Sequence, residues 1–307
     1  MNVETHKLNH SKTSAWLGAM RLRTLPLALA STITGVGLAC HQGAYDLVIA
    51  LFTALTTILL QVNSNLANDY GDYLKGTDSE DRIGPERALQ AGVLKSTEMR
   101  KAIVLFSTLS FLSGLTLLYL SPIDLLAKGI LLVAGVLAIY ASIKYTAGSN
   151  PYGYRGLGDV SVMAFFGIIG VIGAFYVQMN TMPWSMILPA IGIGCFSAGV
   201  LNVNNTRDRL SDIKTGKITL AVKLGEENAR RYQVFLMALG VVCFVGYAIL
   251  CFDDWNDWIF IISLPLFSIN GYKVYTIRDD AKLDPLLKQL AMSTFLLSIL
   301  IALGMWY

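Results

Sequence analysis

The chain has 307 residues, of which 54% are hydrophobic and only 15% charged, and its formal net charge is +3. Ordinary soluble domains are roughly 25% charged, so the composition excludes a soluble globular protein and marks an integral membrane protein. The small net charge gives no reason to expect nucleic acid as a partner, and Cys40, Cys195, Cys243 and Cys251, with no C-x-x-C spacing, point to neither a zinc site nor a disulfide framework.

Crossing a membrane takes about 20 mostly apolar residues, and nine stretches come close to that. A basic tail with Lys7, Lys12, Arg21 and Arg23 leads into the first, roughly 24–41. It reads as a retained span and not a removed signal, because a second long apolar segment follows at once. That second span, roughly 46–68, carries Gln61, Asn63, Asn65 and Asn68, and runs into a charged segment with Asp69, Asp72, Lys75, Asp78, Asp81, Arg82 and Arg87. Polar groups at membrane depth are costly, so their default reading is functional. On a helix Asn68 and Asp72 are one turn apart with Asn65 on the same side, so amide and carboxylate oxygens project together.

The third and fourth spans, roughly 102–122 and 125–143, lead to the loop YTAGSNPYGYRGLGD, residues 145–159. Its glycines and Pro151 make a tight turn, and Tyr145, Tyr152, Tyr154, Arg155 and Asp159 give it polar tips. For the tyrosines an interfacial aromatic belt and a direct role are both open, and Arg155 is the better candidate. The fifth span, roughly 159–178, holds Gly167, Gly170 and Gly173, where a lipid tail could lie between open helices or where helices could touch. The sixth, roughly 184–205, ends in NVNNTRDRLSDIKTGKITLAVKLG, where Asn204, Asp208 and Asp212 recur at four-residue spacing ahead of Lys214 and Lys217. The seventh, roughly 232–252, the short eighth, roughly 257–273 with Pro265, and the ninth, roughly 287–306, complete the chain.

Lys and Arg gather in the N-terminal tail and the even-numbered loops and are missing from the first, fifth and seventh. The positive-inside rule then predicts a cytoplasmic N-terminus, an external C-terminus and both acidic motifs on the cytoplasmic side. Loops two and six, about 70–100 and 206–231, are long enough to fold into caps. Asn68-x-x-x-Asp72 and Asn204-x-x-x-Asp208 have the same orientation, four helices apart. An internal repeat explains this economically: one all-α domain over 1–307, with four-helix units at about 16–144 and 155–278, plus one helix.

Two facing carboxylate clusters can hold Mg²⁺ ions that in turn hold a diphosphate, with Lys and Arg assisting. If the diphosphate is allylic, its departure leaves a carbocation that apolar walls shelter from water. A secondary transporter also has repeats and polar helices, but its site belongs at the midplane, and these carboxylates cluster at one face.

NDYGD with a downstream Asp, the YRGLGD loop, and Asp208-x-x-x-Asp212 followed by Lys214, Gly216, Lys217 and Thr219 resemble the UbiA superfamily of intramembrane prenyltransferases over nearly the whole chain. The segment NLANDYGDYLKGTDSEDRIGPER is most similar to the branch that prenylates 1,4-dihydroxy-2-naphthoate in menaquinone biosynthesis. The resemblance implies nine helices around a central cavity in the cytoplasmic (inner) membrane. It also implies Mg²⁺-dependent transfer of a polyprenyl chain from its diphosphate to an aromatic acid, with loss of the acceptor's carboxylate. Other branches use 4-hydroxybenzoate or homogentisate. By the same resemblance Asn68, Asp72, Asp208 and Asp212 are the metal and catalytic positions, and Lys75, Arg82, Arg87, Lys214 and Lys217 contact the diphosphate. Arg155, Tyr145 and Asn65 meet the acceptor or a phosphate. Gly76 stands where the family pattern places a second Asp, which leaves Asp78 as the next acid and further metal position. The expected partners are these substrates and the lipid bilayer, and no protein partner is implied.

Overall fold

The computed structural model describes residues 11–77 and 87–304. Every regular element among them is helical: α1 (Lys12–Met20), α2 (Leu25–His41), α3 (Leu47–Lys75), α4 (Ser96–Leu120), α5 (Leu125–Lys144), α6 (Gly158–Val162), a π-helix (Met163–Ile172), α7 (Gly173–Met179), α8 (Ile187–Arg207), α9 (Arg209–Lys214), α10 (Leu220–Cys251), α11 (Leu264–Thr276) and α12 (Asp284–Gly304).

Local chemistry sets where the helices begin and end. Asp46 opens α3 by accepting from the backbone N–H groups of Val48 and Ile49, and Asp124 opens α5 in the same way through Ala127. Gly76 closes α3 in the left-handed region, φ 66°, where a side chain would be strained. Helix α3 therefore runs to Lys75, past the expected end of its span near 68, and carries the acidic motif on continuous helix.

Among the described residues eight helical segments are long and apolar enough to cross a membrane, where the sequence predicted nine. The difference is the expected eighth span. It is a 3-10 helix over Trp255–Ser263 that passes into α11, with Pro265 in the first turn of α11. The 3-10 and α parts run on without a gap from Trp255 to Thr276, and Asn256, Asp257, Asn270 and Lys273 make this segment less apolar than the other eight. The expected cap at 206–231 is largely helical as well. Helix α9 fills its start, and Thr219 caps α10 by accepting from the Val222 N–H, with a break at Gly225, φ 76°.

The segments form a ring. Helix α3 packs on α2, α4 and α5, helix α8 packs on the π-helix, α10 and α12, and α2 closes the ring against α12, the π-helix and α7. The main apolar core lies between α8, α10, α11 and α12, where the Phe196 and Phe267 rings stack 3.8 Å apart. A ladder of amides crosses the same bundle. Asn202 donates to Gln233, Gln233 to Asn270, and Asn270 to both Gln289 and the Leu286 carbonyl. On the other side of the ring, α5 buries only Ala127. Large apolar side chains such as Ile130, Val133, Val242 and Ile262 face outward, as lipid contact requires.

Candidate active site

The site forms where the ends of α3 and α8 meet the loop after α5. Asp72, in the last turns of α3, is 3% exposed, and its carboxylate is satisfied from three directions. Arg87 Nη1 donates to Oδ2 at 2.7 Å, the Tyr154 hydroxyl donates to Oδ1 at 2.8 Å, and Lys217 Nζ stands 3.7 Å from Oδ1. The neighbouring Asp69 is equally buried and pairs with Arg21 and, at 3.5 Å, with Arg87 Nε. A buried carboxylate costs several kcal/mol unless paired and hydrogen-bonded, which is why each carries cations.

Tyr154 comes from a 3-10 turn, Tyr152–Arg155. Tyr152 fixes this turn by donating to the Ala141 carbonyl, and Ile218 closes it by donating to the Tyr154 carbonyl. Lys217 Nζ lies 5.3 Å from the Tyr154 ring centroid, within cation–π range. Burial and then the charge of Asp72 push the Tyr154 phenol far above its ordinary range, so it stays an O–H donor.

The second motif is built differently. Arg207, buried at the end of α8, grips Asp208 with two hydrogen bonds, 2.8 Å from Nε and 2.7 Å from Nη2. The same guanidinium reaches Asn204 at 2.9 Å and pairs with Asp284 at the start of α12. Asp212, 7% exposed, sits one turn later on α9. Its carbonyl accepts the Lys217 backbone N–H at 2.8 Å, so Lys217 ties the second motif to the first.

Of the residues singled out from sequence, the structure brings Asp72, Arg87 and Lys217 into direct contact. Asn68 and Asn65 stand beside them on α3 and line a cavity. The Asn65 amide also donates to the Met20 carbonyl and to Thr24, holding the bend between α1 and α2. Lys75 is exposed on the final turn of α3, and Arg155 is exposed, its carbonyl accepting from Lys223. Lys214 lines a separate polar hollow of about 470 Å³ with Arg207, Arg278 and Asp280. Asp78 and Arg82 lie outside the described residues. Sequence reasoning did not assign site roles to Tyr154, Arg207 or Thr77, whose hydroxyl lies 2.9 Å from that of Tyr154. The loop's polar composition was the one available signal for Tyr154.

The cavity, about 360 Å³, runs from Asn68, Tyr145 and Tyr152 to Leu117, Leu131 and Val177. Its wall follows α3 from Asn68 back to Thr53, which at 1.5 Å per residue is about 22 Å. Helix α4, helix α5 and the π-helix make the other sides. Two glycines of the fifth span divide by role. A Cβ on Gly167 would lie 2.5 Å from the Ala190 carbonyl, whereas one on Gly173 would meet nothing within 4 Å. Gly167 is thus a helix contact, and Gly173 faces open space in the cavity wall.

Among the described residues no three His, Cys, Asp or Glu side chains converge into a metal cage. The candidate ligands Asp72, Asn68, Asp208 and Asp212 offer carboxylate and amide oxygens. Mg²⁺ prefers such hard ligands and is usually bound through one or two carboxylates plus substrate phosphates, so the donor set fits an ion carried in with a diphosphate.

Residues 28–304 match the model of the UbiA prenyltransferase family. The chain is 43% identical to the 1,4-dihydroxy-2-naphthoate octaprenyltransferase of Haemophilus influenzae, covering 99% of each chain. It is 42% identical to the Escherichia coli protein of the same name, over 96% of each. A UbiA homolog from Archaeoglobus fulgidus, solved bound to DMAPP and Mg²⁺, superposes with a TM-score of 0.65 at 14% identity, covering 94% of this chain and 99% of that one.

Proposed function

The chain belongs to the UbiA prenyltransferase family, and we propose that it transfers a polyprenyl chain from its diphosphate to 1,4-dihydroxy-2-naphthoate, with loss of the acceptor's carboxylate. The observation that carries this reading is the arrangement of Asp72, Arg87 and Lys217 at the polar end of an apolar cavity about 22 Å long. The acceptor is read from the relatives, which are named for that substrate over nearly their full length. Those relatives are transferases, which weighs against the transporter reading.

Asn68, Asp72, Asp208 and Asp212 would hold Mg²⁺. When bound with the diphosphate, Mg²⁺ offsets its charge and makes it a better leaving group. Arg87 and Lys217 neutralise Asp72 in the free protein, and they are placed to turn to phosphate oxygens when Asp72 takes a metal. Tyr154 stays protonated and supplies one fixed O–H donor at the same point. The apolar walls hold the prenyl chain and exclude water from the allylic cation, so that the aromatic ring and not water captures it.

The two acidic motifs belong to two four-helix units in this reading. The pairings of α2 with α3 and α3 with α4 recur as the π-helix with α8 and α8 with α10, which supports an internal repeat. The basic even-numbered loops support a cytoplasmic site in a bacterial inner membrane.

The test is to incubate detergent-purified protein with a long-chain prenyl diphosphate, with Mg²⁺ or EDTA, and with naphthoate or 4-hydroxybenzoate in turn. A prenylated, decarboxylated naphthoquinol formed only with Mg²⁺ is the expected product. Product from 4-hydroxybenzoate alone would move the acceptor to another branch of the family.

A further inference from the structure

Asp159, in the first turn of α6, is 6% exposed, and among the described residues neither carboxylate oxygen has a hydrogen-bond partner. No cation pairs with it among the described residues, in contrast to Asp69, Asp72 and Asp208, which all carry arginines. Burying an acid without a counter-ion is costly, so stability does not account for it.

Its surroundings give it a use. Across from it on α10 is the Tyr232 phenol, beside the carboxylate but outside normal hydrogen-bond geometry. On the other side is Tyr145, at the end of α5. The Tyr145 hydroxyl is packed against the start of α6, where a Cβ on Gly158 would lie 2.8 Å from it. A side chain at 158 would meet this hydroxyl, so the missing Cβ lets Tyr145 pack against the turn that carries Asp159. Tyr145 also lines the cavity at its polar end, together with Asn68 and Tyr152. Burial and the charges of Asp159 and then Asp72 keep its phenol protonated. A phenol that lines the cavity and packs against the turn bearing a buried, unpaired carboxylate is placed to relay a proton between them.

We propose that Asp159 acts through Tyr145 as the proton acceptor for a hydroxyl of the aromatic substrate. This rests on the prenyl-transfer reading above and adds the residue that handles the acceptor's proton. As the allylic C–O bond breaks, its electron pair leaves with the diphosphate. The substrate O–H bond breaks, the hydroxyl proton passes to Tyr145 while the Tyr145 proton passes to Asp159, and a ring carbon donates the pair that forms the new C–C bond. Loss of CO₂ returns an electron pair to the ring, and the substrate oxygen takes its proton back along the same path. Charge and protons balance, and Asp159 ends as it began. Asp159 is thus a positioning residue for Tyr145 and not a ligand of the diphosphate.

The experiment compares wild type, Asp159→Asn and Asp159→Glu for prenyl transfer across pH 5–9, and measures inorganic diphosphate binding with Mg²⁺ on each. A base acting through Tyr145 must be ionised, so the wild-type rate should rise with pH on the acid side. Asp159→Asn should lower kcat about 100-fold, lose that limb and still bind diphosphate, while Asp159→Glu should recover most of the rate and a shifted limb. The groups that face the acid, Tyr145, Tyr232 and Cys195 of α8 behind Tyr232, are unchanged in both variants. The proposal is overturned if Asp159→Asn keeps its rate and acid limb, or loses diphosphate binding together with rate. Wild-type protein that prenylates a different hydroxyarene would overturn the acceptor assignment, and the same variants run on that compound would still decide the relay. No transfer to any hydroxyarene would overturn both.

Discussion

Lys217 joins the two acidic motifs through a single residue: its backbone N–H donates to the Asp212 carbonyl at 2.8 Å, and its ammonium lies 3.7 Å from Asp72 Oδ1. In the proposed reaction an arriving diphosphate would meet a cation whose backbone is already fixed by the far motif. Replacing Lys217 with Met should therefore raise KM for the prenyl diphosphate by roughly 10-fold or more, the scale of one lost charged hydrogen bond. KM for the aromatic acceptor should stay within about twofold, and steady-state kinetics in detergent would show a uniform rise in both constants if this is wrong.

Asp72 holds Arg87 and Lys217 in the free protein, so Asp72→Asn releases two cations at once. The expected result is loss of Mg²⁺-dependent turnover by at least about 100-fold, with diphosphate binding in EDTA that is as tight as wild type or tighter. Calorimetry without metal reads this directly. Weaker metal-free binding would mean that the cations do not turn to the phosphate. In wild type, EDTA should stop turnover and added Mg²⁺ should restore it.

The amide ladder is remote from the cavity and should affect stability alone. Asn270→Leu strands the Gln233 amide and the Gln289 oxygen and removes a side-chain donor from the Leu286 carbonyl. Each buried polar group left unpaired costs about 1–3 kcal/mol, partly recovered by local repacking. A lowered unfolding midpoint with unchanged KM values is the expected pattern, read by thermal denaturation and kinetics on one preparation.

Gly173 and Gly167 should separate cavity shape from helix packing. Gly173→Phe fills open space in the wall and should penalise long prenyl diphosphates relative to geranyl diphosphate, judged by kcat/KM for each. Gly167→Ala drives a methyl group towards the Ala190 carbonyl and should cost about 1–3 kcal/mol of stability, the usual scale of overpacking, with no change in chain-length preference.

The apolar runs, the two matched acidic motifs and the loop between them were legible in the sequence because each rests on residue type and helical spacing. Facing and depth were not. Lys75 is three residues beyond Asp72, within about 60° of it around the helix, yet Asp72 is buried and Lys75 is exposed, because α3 passes out of the packed ring between them. Lys214 and Lys217 read alike as basic loop residues, and only the tertiary path sends one to Asp72 and the other to a different hollow. Asp159 looked like any other polar loop tip, since the missing counter-ion is a property of the folded surroundings.

Helix α5 buries one residue and has the cavity on one side and outward-facing Ile130, Val133 and Tyr140 on the other. One helix thickness would thus separate a prenyl chain held in this cavity from the lipid in which such chains dissolve. A cavity of about 22 Å is shorter than the roughly 30 Å hydrocarbon layer around it, so the distal part of a long tail can remain among the acyl chains while its first units react. The partition cost of extracting such a molecule from the bilayer then falls only on the headward units, and it does not grow with each added isoprene.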